Sequence, residues 1–246
     1  PVKVSAIVLA GGRSSRMGVE KASLLVGGRT MLSRVVEAVS SVAEEVLVVR
    51  AVGQRLPDLK GYEVRIVEDE EPHGGPLGGL VSGLRAVKGQ WALVVGCDMP
   101  FLDQRLLQWL VDVAMVSGQQ GFTLTLNPLP SRERKEEPKG EVTSPLRGGK
   151  GPRRGPWDAV VPVVHGRAQV LHAVWSRGCL GVAEGMVSEG KGLRDVLGGV
   201  RVKWVEEGEC EARDPGLRSV FSVDTPGDWA LAEAMGGEEW LLLNEA

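Results

Sequence analysis

Cysteine is scarce. Cys97, Cys179 and Cys210 are the only three, far apart, with no CxxC pair and no metal-ligand spacing. An odd, sparse set points to a reducing compartment rather than a disulfide framework. Histidine is equally rare, and its three copies form no HExxH or related pattern. Neither a Ser-His-Asp order nor a GxSxG elbow is present, so nothing supports a serine hydrolase. No apolar run approaches the about 18 residues of a membrane span. The start, Pro1-Val2-Lys3-Val4, runs directly into a strand pattern with no signal-peptide character. A cytoplasmic protein is expected. Tyr62 is the single tyrosine and aromatics reach only 4%, which argues against a stacking platform for single-stranded nucleic acid. The formal net charge of -3 gives no global basic field. Neither nucleic acid nor a membrane is therefore expected as a partner, and any anion binding must be local.

What is present is an ordinary globular balance, 43% apolar and 25% charged over 246 residues. That length supports one sizeable core, or one core with a long insertion. Val4 to Leu9, Glu45 to Arg50, Val64 to Glu68 and Trp91 to Gly96 are short β-branched runs that read as buried strands. Between them lie helical patterns: from a Thr30 cap to about Val42, from Pro76 to Val87, and from an Asp103 cap to about Ser117. The order β-α-β-β-α-β-α predicts a three-layer, Rossmann-like α/β fold, with a mostly parallel sheet covered on both faces. Gly118 to Trp157 is rich in Pro, Gly and charge, with a short strand expected at Gly121 to Leu126. The rest of that stretch cannot bury enough apolar area to offset ordering entropy. It reads as a flexible insertion at about 118–157 within a single domain spanning 1–246. Beyond it, Ala159 to Val164 suggests a strand near a sheet edge, because Pro162 cannot donate. Helical segments are expected at about Gly178 to Glu189 and Leu193 to Leu197, with short strands at Arg201 to Val205 and Val220 to Val223. A final helix starts at Pro226, runs through Met235 and extends toward Leu243.

Four constellations carry chemistry. In Leu9 to Lys21, LAGGRSSRMGVEK, glycines free backbone N–H groups to form an anion-binding concavity. Arg13, Arg16 and Lys21 add positive charge behind them. The loop is neither a Walker A nor a GxGxxG motif, and the pattern predicts a triphosphate grip. Cys97-Asp98-Met99-Pro100 puts a carboxylate at a strand end, placed to hold Mg²⁺ with substrate phosphates. In parallel α/β sheets ligands sit outside the carboxyl ends of the strands, which brings Gly11 and Asp98 to one rim. His73 to Gly79, HGGPLGG, either presents backbone to a base or ribose or is a Gly-rich strand-to-helix turn. Asp224, in Asp224-Thr225-Pro226, is either a second metal-facing carboxylate or the N-cap of the last helix.

LAGGRSSRMGVEK, GPLGG, CDMP and the terminal VDTP together resemble the MobA-type molybdenum cofactor guanylyltransferases. These are nucleotidyltransferases of glycosyltransferase-A-like fold. DAVVPVVHGRAQVLHAVW is similar to the family's substrate-side strand and the "LHA" turn after it. The resemblance implies that Leu9, Ala10 and Gly11 contact guanine and ribose, with Gly12 in the same loop. It implies that Lys21 binds phosphate, Asp69 the nucleoside, and Asp98 both Mg²⁺ and GTP. The LAGG form accompanies GTP and an LAAG form cytidylyl transfer, so Gly12 favours guanine. The implied reaction moves GMP from GTP onto the phosphate of molybdopterin carrying molybdenum, and releases pyrophosphate. Asp98 acts there through Mg²⁺, while Arg16 and Lys21 stabilise the leaving group. Proteins that deliver the cofactor are candidate partners. The chain departs from the family at Arg50, where an asparagine is usual, at Gly78 in place of alanine, and at Asp224, where guanylyltransferases often carry NxNTP. Open alternatives are CTP-dependent molybdopterin cytidylyl transfer, another cytidylyl- or sugar-phosphate transfer, and a non-catalytic nucleotide- or cofactor-binding module.

Overall fold

A computed structural model of the chain describes residues 4–11, 20–71, 74–116 and 157–236. The expected insertion, with its strand at Gly121 to Leu126, lies outside the described residues apart from Trp157. So does any extension of the last helix past Gly236.

The chain opens with β1 (Val4–Leu9), a small hairpin of β2 (Leu25–Val26) and β3 (Arg29–Thr30), and helix α1 (Met31–Ser40). β4 (Glu45–Arg50), β5 (Val64–Glu68), α2 (Gly75–Ala86), β6 (Trp91–Gly96) and α3 (Gln104–Val116) follow. The second half supplies β7 (Ala159–Val164), β8 (Arg167–Ala168), β9 (His172–Ser176), α4 (Leu180–Ser188), β10 (Val202–Val205), α5 (Glu207–Glu211) and α6 (Pro226–Gly236). The main sheet runs β10-β7-β9-β6-β1-β4-β5, with β8 paired to β7. β9 is antiparallel to both neighbours, and the other pairs on this path are parallel.

Both faces of the sheet are covered, as near-continuous apolar strands require. Alternate residues of β1 point to opposite faces. Val4, Ala6 and Val8 join α1 and α3 in one core, through Leu32, Val35, Val36, Leu106 and Leu110. Ile7 and Leu9 join α2 and α4 in the other, through Leu77, Leu80, Leu84 and Ala183. α1 begins where its cap does: the Thr30 hydroxyl accepts from Ser33 N–H at 3.2 Å. Asp103 does the same for α3, accepting from Arg105 N–H at 2.7 Å.

Several expectations need correction. Val220 to Val223 is not a strand. Val220 closes a 3-10 turn, and Val223 is buried in a small cluster with Val26, Met31 and Ala232. Its apolar side chains are thus covered by docking rather than by a ladder. The "LHA" segment is not a turn beyond Leu171, because His172 and Ala173 already lie in β9. The expectation of β7 near a sheet edge holds, since it lies one strand in with β10 outermost. Pro162 is tolerated there because pairing to β9 covers Ala159 and Val160, while β8 takes up only at Val163.

The glycines of α2 bring the helix close to β1. A Cβ on Gly83 would lie 2.7 Å from Cγ2 of the fully buried Ile7, and one on Gly79 would lie 3.1 Å from Leu9. Within the HGGPLGG stretch Gly79 is thus a packing position, while Pro76 lines a pocket at the carboxyl ends of the strands. Gly83→Val should destabilise the fold by about 1–3 kcal/mol, because overpacking exceeds any gain in helix propensity. A urea midpoint that falls with an unchanged slope would report it; an unchanged midpoint would show that Ile7 can move aside.

Candidate functional site

β1 lies between β4 and β6. The carboxyl ends of these three strands form a rim, and a pocket opens there. Leu9, Ala10, Gly11, Lys21, Gln54, Pro76, Gly96, Cys97, Asp98 and Leu171 line it. Its floor is tied by main chain. Ala10 N–H and Gly11 N–H both donate to Val49 O, at 2.8 and 3.1 Å, and Cys97 N–H donates to Leu9 O at 3.0 Å. A Cβ on Gly11 would lie 3.0 Å from Ala51 N, so glycine here lets β1 pass close to the chain's own β4 exit.

Asp98 projects from the end of β6. A Cβ on Gly96 would lie 2.5 Å from Asp98 Oδ1, so the carboxylate folds back over space that only glycine leaves. Lys21 Nζ donates to Asp98 Oδ2 at 3.2 Å and to Asp224 Oδ1 at 2.7 Å. Burial pulls the Lys21 pKa down, but the hydrogen bonds and charges of Asp224 and Asp98 outweigh it and hold it above the ordinary lysine value. The ammonium is therefore charged at neutral pH. Burial pushes the Cys97 thiol up, which leaves it protonated and unreactive in the pocket wall.

Asp224 is free to face Lys21 because other residues cap the last helix. Asp228 Oδ2 accepts from Thr225 N–H at 2.8 Å and from Asp224 N–H at 3.1 Å, and Thr225 Oγ1 accepts from Asp228 N–H at 3.2 Å. This is a capping box centred on Thr225. Of the two readings of Asp224, the helix cap is thus taken by its neighbours. The segment is also pinned to the rim, as Val223 N–H donates to Asp98 O at 2.9 Å.

The structure brings Leu9, Ala10, Gly11, Lys21 and Asp98 to one pocket and joins Asp224 to it through Lys21. It does not bring Asp69 to the wall. Asp69 Oδ1 accepts from Glu71 N–H at 3.0 Å and Ser82 Oγ at 3.1 Å, closing the turn before α2. In the first turn of α2 a Cβ on Gly78 would lie 2.8 Å from Glu71 O, so a larger residue there requires the preceding turn to shift. Arg50 also turns aside, donating to Gln54 O at 2.7 Å and Glu68 Oε1 at 2.9 Å. Gly12, Arg13, Arg16 and His73 lie outside the described residues. Pro76 belongs to the HGGPLGG run that the sequence offers as a base or ribose contact, whereas Gln54 was not foreseen as a wall residue. Gln54 sits in no motif, and only tertiary contact reveals it.

Residues 6–204 match the model of the MobA-like NTP transferase domain. The chain belongs to this family. A probable molybdenum cofactor guanylyltransferase of Natranaerobius thermophilus is 26% identical over 92% of each chain. Another, from Pelotomaculum thermopropionicum, is 29% identical over 98% of this chain and all of its own. Among solved structures, molybdopterin-guanine dinucleotide biosynthesis protein A of Archaeoglobus fulgidus superposes with a TM-score of 0.65 at 20% identity, covering 94% of this chain and 97% of that one. A 2-C-methyl-D-erythritol 4-phosphate cytidylyltransferase of Thermus thermophilus gives 0.58, also at 20% identity, over 95% and 98%. The three-layer nucleotidyltransferase fold expected from the sequence is thus the fold found. Among the described residues, no helix is long and apolar enough to cross a membrane.

One buried group of this MobA-like domain lies just behind the pocket. His172 follows the wall residue Leu171, pairs with Val95 in the sheet, and is fully buried. Neither ring nitrogen reaches a partner in hydrogen-bonding geometry among the described residues. Burial lowers its pKa from 6.5 to about 4, against the opposing pull of the Ser219 main chain. The unfolded chain therefore binds more protons than the folded one between these two values, and stability falls as pH drops through that window. His172→Leu should flatten this acid limb. Urea midpoints taken from pH 7 to pH 4 would check it, and an unchanged slope would show that His172 finds a proton partner.

Proposed function

We propose that the chain transfers GMP from GTP to the phosphate of molybdopterin carrying molybdenum, forming the guanine dinucleotide cofactor and releasing pyrophosphate. The observation that carries this reading is the meeting of Lys21, Asp98 and Asp224 beside the Leu9–Gly11 backbone, in a domain whose relatives bear guanylyltransferase names.

The residues present suit a divalent cation. Two carboxylates face one cationic point, and among the described residues no cluster of three or more metal-ligating side chains occurs. That donor set fits Mg²⁺, which binds through one or two carboxylates and relies on phosphates and water for the rest. Asp98 and Asp224 would hold it, and the bound ion would supply charge neutralisation at the phosphates. The chain's own residues do the remaining work. An acceptor phosphate oxygen forms a bond to the α-phosphorus as the bond from that phosphorus to the bridging oxygen of the leaving pyrophosphate breaks. The nucleophile is already an anion, so no general base is required. Lys21, held charged by its two partners, provides a mobile cation for the oxygens that gain charge on the leaving group. Arg16 is assigned the same task on the strength of its motif. Leu9, Ala10 and Gly11 line the wall against which the nucleoside would rest, which fixes the approach for in-line attack.

Pyrophosphate release, measured for GTP, CTP and ATP with and without molybdopterin, tests the reaction. Release confined to GTP with acceptor is expected. Release with CTP instead would move the chain to cytidylyl transfer, and binding without release would make it a carrier. Lys21→Ala should cost roughly 100- to 1000-fold in turnover, measured under conditions where circular dichroism shows the variant folded, because the change also leaves Asp98 and Asp224 without their shared cation. Undiminished turnover would remove Lys21 from the chemistry.

A further inference from the structure

Lys21 and its two carboxylates come from three separate segments, and contacts outside the triad tie those segments together. The loop after β6 and the segment before α6 are joined directly, since Val223 N–H donates to Asp98 O at 2.9 Å. The third segment is the 3-10 turn Lys21–Ser23, which leads straight into the β2–β3 hairpin. Leu24 N–H donates to Lys21 O at 3.1 Å, and Met31 N–H donates to Leu24 O at 2.8 Å. A shift of the hairpin therefore reaches Lys21 through one hydrogen-bonded turn.

Two other elements hold that hairpin. On α6, Trp229 Nε1 donates to Leu25 O at 2.8 Å, and Glu233 Oε1 accepts from Gly27 N–H at 3.0 Å. The helix lies directly on the turn. A Cβ on Gly27 would run into Gly236 O, and one on Gly236 would lie 2.8 Å from Val26 Cγ1. The same helix follows Asp224, and Trp229 N–H donates to Thr225 O at 3.1 Å. On α1, Arg34 Nη1 donates to Val26 O at 3.2 Å, and its Nε donates to Pro100 O at 3.1 Å. Pro100 stands two residues beyond Asp98. A guanidinium is a rigid planar fork, so it holds these two carbonyls at a set separation. Its carbon lies 5.6 Å from the centre of the Phe101 ring.

We propose that Trp229 and Arg34 are positioning residues that set Lys21 between its two carboxylates. Trp229 fixes its spacing to Asp224, and Arg34 its spacing to Asp98. Neither belongs to the pocket wall. A lysine stem is flexible and keeps no position unaided. Its ammonium stays at one point only while the main chain beneath it and both acceptors keep their distances. The large cores do not impose this, because Val26, Met31, Val223 and Ala232 form a small cluster of their own. The spacing thus rests on directed hydrogen bonds from these side chains. The proposal concerns the triad as it stands, and only the binding arm of its test rests on the triphosphate reading of the pocket.

Crystal structures of Trp229→Phe and Arg34→Met give a readout that needs no ligand. Phenylalanine keeps an aromatic ring and loses the indole N–H, and methionine keeps an apolar stem and loses the fork. The Lys21–Asp224 contact should lengthen beyond hydrogen-bonding reach in the first variant, and the Lys21–Asp98 contact in the second. Both contacts unchanged in both variants would overturn the proposal. Titration calorimetry with Mg²⁺ and inorganic tripolyphosphate provides the functional readout. Each variant should bind about 2- to 10-fold more weakly than the parent, the range of one lost hydrogen bond. In a Lys21→Ala background the same changes should cost nothing further, because they act through the lysine. Equal weakening in both backgrounds would show an effect independent of Lys21 and overturn the proposal. Arg34→Lys, which keeps the charge without the fork, takes the place of the methionine variant if that one fails to fold. A parent protein that does not bind tripolyphosphate would overturn the triphosphate reading, and the crystal structures would still decide the positioning roles.

Discussion

The ion pairs of Lys21 with Asp98 and Asp224 join parts of the chain that lie far apart in sequence. Their partners are 77 and 203 residues away from the lysine. One comes from the end of a central strand, and the other precedes the last helix. Lys21 and Asp98 are four-fifths buried, with side-chain exposures of 18% and 23%. Such groups are costly to desolvate, and removing one partner leaves the others without compensation. Two carboxylates aimed at one point would repel each other without the ammonium between them. The arrangement therefore depends on all three, and the elements around it are built to permit it. Gly96 leaves room for Asp98, and the Thr225–Asp228 box relieves Asp224 of the capping task.

The sheet beneath is the counterweight. Its central strands carry apolar side chains to both faces, and each face is sealed by helices. Among its described residues Ser5, His172 and Ser176 are the buried polar side chains, and the charged groups collect at the rim. His172 is the titratable one of the three. It lies inside the sheet next to a wall residue, kept neutral by burial. A charged ring there would have no partner, so the environment selects the neutral form at physiological pH.

The strands β1, β4, β5 and β6 were legible to the residue because each is a β-branched run with polar or Gly-rich borders. Helix starts were legible where a side chain does the capping, as at Thr30 and Asp103. What escaped was structure whose stability is tertiary. The two-residue strands of the β2–β3 hairpin carry too few side chains for any period to show. Val220 to Val223 has strand composition but buries itself by docking. Of the pocket wall, Leu9, Ala10, Gly11, Lys21 and Asp98 could be read from types and order. The pairing of Lys21 with two carboxylates could not, because spacing along the chain says nothing about partners on three separate loops. Gln54 lay in a stretch with no periodicity at all, and its amide acquires meaning only through Ala10 and Ala51.

The same triad constrains how the proposed substrates would bind. Before they arrive, Lys21 offsets part of the charge of the two carboxylates. A divalent cation alone must displace that ammonium and leave it without a counterion, which opposes binding. A triphosphate alone must attract Lys21 away from Asp98 and Asp224, and so leave two facing carboxylates without a cation. Arriving together, the ion takes the carboxylates and the phosphates take the lysine, and each exchange removes the cost of the other. Linkage then requires that metal and nucleotide raise each other's affinity by the same factor. A lysine resting between two acids is, on this reasoning, more than a stabilising contact. It would make the pocket a poor site for either component separately and a good one for the pair, and the pair is the form in which a nucleoside triphosphate can be cleaved.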